Sequence, residues 1–359
     1  MNYPKPEIKK GRVFCPECGK DYADRSGYRY HYKKEHTAKQ KKEKVDVDAC
    51  KEIVGMVLSD LPKRDRLKAP SVRKGDLKPE TWVLMFSDLH YGQLVKGVEV
   101  GGLSEYSPTI AKERIEVLQE KIVRFLAYHP NKPSELVITF LGDIVDGSVL
   151  RGNQQSNIEF GVVKQAIYAT EIIVDLIVNL SKYFPKIRCY GVYGNHARLT
   201  PNPKDAHPSE NFDMLMYHIM QDRLKGMKGI TMEYTEAQHM IIEIASHLFW
   251  IEHGDTVRSW MGIPFYGSQR EKGYIQEVMS MFKERADYVL MGHHHNTASF
   301  GGIHLNGSFV GGDLFSIGRL RRMSLPVQSL LGVNDKHGIV WDRPIKLLEK
   351  SSVKPKIYK

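Results

Sequence analysis

The sequence predicts a layered α/β domain preceded by a small N-terminal module of its own. From Trp82 onward, short apolar runs ending in Gly, Asp, Asn or His alternate with amphipathic stretches of helical period, which is the signature of strands and helices in turn. Near the start, four residues stand at the spacing Cys-x2-Cys-x12-His-x4-His, outside that pattern. Between the two lies a tract rich in Lys, Arg and Pro. At 359 residues and 42% apolar composition, the chain exceeds one modest domain and can bury a large core.

The first module, residues 1–37, contains Cys15, Cys18, His31 and His36, a ligand set and spacing suited to tetrahedral zinc. It resembles the C2H2 zinc finger, with Tyr22 and Tyr28 where such fingers place their small-core hydrophobes. The resemblance implies a ββα unit with the cysteines on a hairpin knuckle, the histidines on successive helical turns, and one structural Zn2+. The finger positions that usually face bases are Asp24, Gly27 and Tyr30, and none is an Arg or Lys that reads guanine. Phosphate contact through Arg25, Arg29, Lys33 and Lys34, or contact with protein, is therefore expected in preference to sequence reading.

Residues 38–79 read as a basic linker holding one short helix over 46–62, where Val47, Ala49, Ile53, Val54, Val57 and Leu58 recur at helical spacing. The first 79 residues carry 21 Lys/Arg against 12 Asp/Glu, and the remainder 31 against 30, so the net charge of +10 is almost wholly N-terminal. Such a segment is the footprint of a polyanion partner or a solvated arm. Cys50 and Cys189 stand alone, no long apolar run occurs and no secretory leader opens the chain. These features lead to the expectation of a cytoplasmic protein with no membrane partner.

In the main domain, expected over 80–350, strands are predicted at 82–87, 135–141, 187–193, 240–245, 247–252 and 287–291. Helices are predicted at 108–128, 161–183, 209–224 and 268–285. Ser107 is placed to cap the first helix, with Pro108 in its first turn.

Polar motifs follow five of these strands. Asp88 and His90 are two apart and project to one side if extended geometry continues. In Gly142-Asp143-Ile-Val-Asp146, Gly142 admits close backbone approach and Asp143 can bridge two cations, although this pattern also suits a turn. In Gly194-Asn195-His196, Asn195 offers a neutral oxygen, while His196 can stay off a metal and act as an acid. His253 follows a fourth strand, and Gly292-His293-His294-His295 a fifth, with His293 and His295 on one side and His294 elsewhere.

The order D-x-H, G-D-x-x-D, G-N-H, H, G-H-x-H between Asp88 and His295 resembles the calcineurin-like metallophosphoesterases. The resemblance implies a four-layer α/β/β/α sandwich and a dinuclear centre. One metal is held by Asp88, His90 and His295, a second by Asn195, His253 and His293, and Asp143 bridges them. Mn2+ is favoured, and Fe, Zn or Ni also suits such mixed donors. His196 protonates the leaving oxygen and Asp146 orients it. Many members carry Asp after G-N-H; here Ala197 and Arg198 follow, and Arg198 either contacts substrate phosphate or pairs with surface carboxylates. The stretch 306–322, with Gln328 beyond it, resembles the C-terminal end of phosphoesterases carried by phages. Its Arg319, Arg321 and Arg322 border a polyanion groove or decorate a solvated loop.

The expected function is phosphodiester hydrolysis as a DNA or RNA nuclease, resembling the catalytic subunit of double-strand-break repair exonucleases, with the finger assisting nucleic-acid binding. The alternatives are a phosphatase or small-molecule phosphodiesterase whose finger contacts protein, and a non-catalytic nucleic-acid-binding protein. Pairing with a second copy or an ATPase partner is not readable from the sequence.

Overall fold

The computed structural model describes residues 4–36, 52, 56, 59, 79–150, 152, 154–257, 264–321 and 323–348. Contacts divide the chain into two units, Met1–Ser71 and Val72–Lys359.

In the first unit, β1 (Glu7–Lys9), β2 (Arg12–Phe14) and β3 (Asp21–Tyr22) form an antiparallel sheet followed by α1 (Arg25–His31). β1 was not foreseen, because its three exposed residues show no apolar alternation. Asp24 starts α1 by accepting from Ser26 N at 2.9 Å and Gly27 N at 2.8 Å. Val13, Cys15 and Tyr28 make the core, with Tyr22 and Tyr32 packed against it. The chain then widens into a π turn, Tyr32–His36, instead of continuing the α-helix that successive helical turns would need. An i→i+5 turn suits two histidines five residues apart better than an α turn does. Of the helix expected over 46–62, the described residues Glu52, Met56 and Ser59 are helical; the rest lies outside the described residues.

The second unit has two sheets. The first has the order β14 (Gly338–Lys346), β13 (Val327–Asn334), β4 (Thr81–Phe86), β5 (Glu135–Leu141), β6 (Ile187–Val192), β7 (Ile230–Tyr234). Its strands β4 to β7 are parallel. They are linked through α2 (Pro108–Tyr128), α3 (Val162–Leu180) and α4 (Phe212–Leu224). Ser107 caps α2 through Ile110 N, with Pro108 at its first position. The second sheet has the order β11 (Ala298–Phe300), β12 (Ile303–Leu305), β10 (Tyr288–Met291), β9 (His247–Glu252), β8 (His239–Ile244).

Strand alternation sorts side chains into layers. Trp82, Leu84 and Phe86 of β4 pack with Leu118 of α2, Ile173 of α3 and Met216 of α4. Val83 and Met85 face the other way, onto Phe249 and Ile251 of β9. Trp250, between those two, joins Ile275 and Met279 of α5 (Phe265–Met281). Three apolar clusters thus separate helix, sheet, sheet and helix layers, giving the α/β/β/α order. Among the described residues no helix is long and apolar enough to cross a membrane.

Sequence reading missed β7, β11 to β14 and the short α6 (Leu314–Gly318). β13 carries buried Gln328 and Ser329, which break its apolar run, and β14 is an exposed edge strand that tolerates Pro344.

One ion pair ties β5 to β6. Glu135 accepts from Arg188 Nε at 3.2 Å and pairs with Lys186 Nζ at 2.9 Å, while Arg188 Nη1 reaches Glu243 O of the other sheet at 3.1 Å. Burial opposes the charge on Glu135, but Arg188 and Lys186 bring its pKa below the ordinary 4.5. The depressed pKa means that this stability is present above 4.5 and is lost as pH falls through the lower folded value. Glu135→Gln is expected to cost about 1–2 kcal/mol at neutral pH. In denaturant titrations the gap to wild type should close on acidification below 4.5; a gap that widened would contradict the pairing.

Candidate metal centre

Each motif begins where a strand stops. β4, β5, β6, β9 and β10 end at Phe86, Leu141, Val192, Glu252 and Met291, so Asp88, Asp143, Asn195, His253 and His293 all lie within three residues of a strand end. The two sheets bring these ends together.

Extended geometry does not continue through the motifs. Asp88, His90, Asp143, His293 and His295 all have left-handed backbone, with φ between 44° and 61°. In such positions a side chain costs about 1 kcal/mol or more, so neighbours must hold it there. Asp88 N donates to Gly142 O at 3.1 Å, His90 N to Asp143 O at 3.0 Å, and Phe309 N to Asp88 O at 3.0 Å. His293 N donates to Asp88 Oδ1 at 3.0 Å. Gly194 has no Cβ for a steric reason: one would lie 2.2 Å from Asp143 N.

The side chains fall into two groups joined at Asp143. In the first, His295 Nε2 lies 3.2 Å from Asp88 Oδ1 and 3.1 Å from His90 Nε2. In the second, His253 Nε2 lies 3.1 Å from Asp143 Oδ2, 3.0 Å from Asn195 Oδ1 and 3.3 Å from His293 Nδ1. Asp143 Oδ2 is also 4.0 Å from His90 Nε2. His293 and His295 thus serve different groups, and His294 is buried.

Other side chains aim the rings. His253 Nδ1 is 2.6 Å from Leu141 O, which fixes that nitrogen as the donor and turns Nε2 inward, toward Asp143 and Asn195. His90 Nδ1 lies 3.3 Å from Asp146 Oδ1. Asp146 also holds His196, whose Nδ1 is 3.0 Å from Asp146 O and 3.3 Å from Asp146 Oδ1. His196 comes close enough to Asp143 and His90 that the three could share a cation.

The electrostatics call for positive charge. Burial resists ionisation of Asp143, yet His253 and His196 hold its carboxyl well below the ordinary carboxylate range. Burial likewise opposes the charge on His253, but Asp143 raises its proton affinity well above the ordinary value. Burial and the His253 ring keep His293 neutral. With Nδ1 committed to Leu141 O, a neutral His253 would aim a lone pair at two acceptor oxygens, an arrangement that a cation relieves. The donor set therefore fits divalent metal.

Asp213 was not singled out in the sequence, whereas Asn306 and Gln328 belong to the C-terminal stretch that was. Asp213, buried at the start of α4, accepts from Asp143 N at 2.9 Å, Ile144 N at 3.1 Å and Gly194 N at 2.9 Å, tying two motif turns together. Burial and the Asp143 charge push its pKa up to about 7. Its only local signal is Asn211-Phe-Asp213 at a helix start, where Asn211 is the cap. Behind Asp88, Gln328 Oε1 accepts from Ser87 N at 3.0 Å and from Asn306 Nδ2 at 2.9 Å, and Ser87 Oγ donates to Asp88.

Of the main-domain arginines singled out in the sequence, Arg198 and Arg319 are placed differently. Arg198 Nε donates to Thr200 O at 2.9 Å and its Nη2 to Pro201 O at 3.0 Å, so it braces its own loop. Arg319, exposed after α6, lines a cavity of about 420 Å³ together with His196 and Asp146. Arg322 lies outside the described residues.

In the first unit, the ligand atoms of Cys15, Cys18 and His31 lie within 4.8 Å of one another, with Cys18 Sγ 3.1 Å from His31 Nε2. The side chain of His36 lies outside the described residues.

The chain is 21% identical over 216 residues to the SPbeta prophage-derived uncharacterized protein YonJ of Bacillus subtilis (strain 168). That match covers 60% of this chain and 49% of the relative, so the chain spans about half of that relative's length. Among solved structures, it is similar to Vps29 of Entamoeba histolytica complexed with zinc, with 12% identity, 74% of this chain and 99% of that one covered, and a TM-score of 0.31. Phosphopantetheinyl hydrolase of Mycobacterium tuberculosis matches at 12% identity over 70% of this chain and 98% of that one, with a TM-score of 0.27. The family model for calcineurin-like phosphoesterases matches residues 81–302, a span holding every strand end that converges on Asp143, and the chain belongs to that family.

Proposed function

We propose that this metal-dependent phosphoesterase is a nuclease that hydrolyses DNA or RNA phosphodiesters, with its N-terminal unit adding affinity for the strand. The observation that carries the chemistry is the Asp143 carboxylate, placed between two His-containing groups with the His196–Asp146 pair alongside. In this reading Asp88, His90 and His295 hold one metal, Asn195, His253 and His293 hold the other, and Asp143 serves both. Mn2+ is favoured, with Fe, Zn or Ni compatible. When bound, such ions lower the pKa of water and neutralise charge on the phosphoryl group. Asp146 engages His196 Nδ1, and in the protonated ring Nε2 is the nitrogen that hands a proton to the leaving oxygen, returning the ring to its neutral form.

Nucleic acid as substrate is supported by the excess of 21 Lys/Arg over 12 Asp/Glu in the first 79 residues. It is supported also by the Cys15, Cys18 and His31 group, whose donors suit a structural zinc. A finger at 1–37 and a basic linker at 38–79 would tether the strand near a domain at 80–350 and raise its local concentration. Arg25, Arg29, Lys33 and Lys34 are the phosphate contacts in this arrangement.

The test is hydrolysis of single- and double-stranded DNA, RNA and bis-(p-nitrophenyl) phosphate by the Mn2+-loaded protein. Polymer cleavage is expected, and removing residues 1–45 should weaken it and flatten its salt dependence while sparing the small ester. Cleavage of the small ester alone would replace the nuclease reading with a small-molecule phosphodiesterase. His196→Ala should slow an alkoxide-leaving substrate by about 10²–10⁴-fold. A nitrophenolate leaving group needs little protonation and should suffer much less; equal losses would remove the acid role.

A further inference from the structure

We infer that the cavity beside His196 is a subsite for the nucleoside attached to the leaving oxygen. The inference rests on the phosphodiesterase reading, because it is the acid role of His196 that puts the leaving group on this side. The cavity measures about 420 Å³, within the range of roughly 300–1,000 Å³ typical of small-molecule sites. A duplex does not fit such a volume, but one nucleoside does.

Its walls specify the chemistry. Asn157 supplies an amide and Glu99 a carboxylate, while Gln154, engaged by Leu150 N and Asp146, and the bonded pair of Gln93 and Asp313 shape the wall. Asp313 is fixed in place: its Oδ2 accepts from Gln93 Nε2 at 3.3 Å, and its Oδ1 caps α6 through Ser316 N at 2.6 Å. Glu99 pairs with Lys96 at 3.6 Å across an exposed surface, a contact too weak to cancel its charge. Among the described lining residues, Arg319 is the one Lys or Arg. Glu99 accepts hydroxyl or amide protons and Asn157 both donates and accepts, which matches the hydrogen-bonding character of a sugar with a base. Phe315, about two-fifths exposed, adds an aromatic surface of the kind on which bases stack. Arg319, exposed, is left to meet the next phosphate of the strand.

The test uses full-length, metal-free protein with thymidine and adenosine as probes, followed by saturation-transfer NMR. Saturable binding in the millimolar range is expected, on the order of 4 kcal/mol. Phe315→Ala and Glu99→Ala should each weaken it by at least about fivefold, the scale of one stacking or hydrogen-bonding partner. Both side chains are substantially exposed, so neither change threatens the core. Ribose alone should bind about tenfold more weakly than either nucleoside, since it lacks the base that stacks. Absence of saturable binding, equal affinity in wild type and both variants, or ribose binding as well as a nucleoside would each overturn the inference. Hydrolysis of bis-(p-nitrophenyl) phosphate by the same preparation after Mn2+ loading reports separately on the phosphodiesterase reading.

Discussion

Asp143→Asn is expected to lower phosphodiester hydrolysis by roughly three orders of magnitude, the scale of losing one preorganised charge-stabilising group. Bound metal per chain should fall as well, while the fold is retained. The asparagine keeps an oxygen for His196 N, which donates to Asp143 Oδ1 at 2.8 Å. What disappears is the charge that raises His253 and that both histidine groups face. Steady-state kinetics, elemental analysis and a thermal melt on one preparation would separate these effects. Activity within about tenfold of wild type, well inside the loss expected for such a group, would refute the bridging role of Asp143.

The second large effect is expected at Asp213, which touches none of the candidate ligands' side-chain donors. Asp213→Ala removes the acceptor for three buried N–H groups, those of Asp143, Ile144 and Gly194. Leaving them unpaired should cost about 2–4 kcal/mol in unfolding free energy. Asp143 holds a left-handed backbone that these bonds support, so activity should drop by about 10²-fold through misplacement. A merely structural residue would lower the melting temperature and leave kcat of the folded fraction intact. For Asp213, kcat measured well below the melting temperature should fall as well.

The candidate site was legible because its motifs are local. Asp88 with His90, Asp143 with Asp146, Asn195 with His196, and His293 with His295 are each near neighbours in the chain, and each follows an apolar run that reads as a strand. The four longer main-domain helices, α2 to α5, were legible too: the 3.6-residue period of α2, with its Ser107-Pro108 start, needs no tertiary information. Strands β13 and β14 were not, since the one hides Gln328 and Ser329 in its middle and the other lies at a sheet edge. Gln328 enters the sequence reading only through the C-terminal resemblance, and it is the sheet that sets it beside Ser87, 241 positions away.

By itself, then, the sequence determined which residues could be ligands, that they sit at strand ends, and that Cys15, Cys18 and His31 form a separate N-terminal group. Tertiary structure alone decided how those ligands are aimed. The left-handed turns at Asp88, His90, Asp143, His293 and His295 are strained locally, and no local propensity announces them. They persist because hydrogen bonds from distant residues over-determine them: Asp213 reaches Asp143 across 70 positions, and Asp88 accepts from His293 across 205. The cavity beside His196 has the same origin, since the segments around Gln93, Gln154 and Asp313 are far apart in the chain and meet only in the folded domain. Periodicity encodes what a segment becomes, whereas contacts between segments exist only once the two sheets have packed.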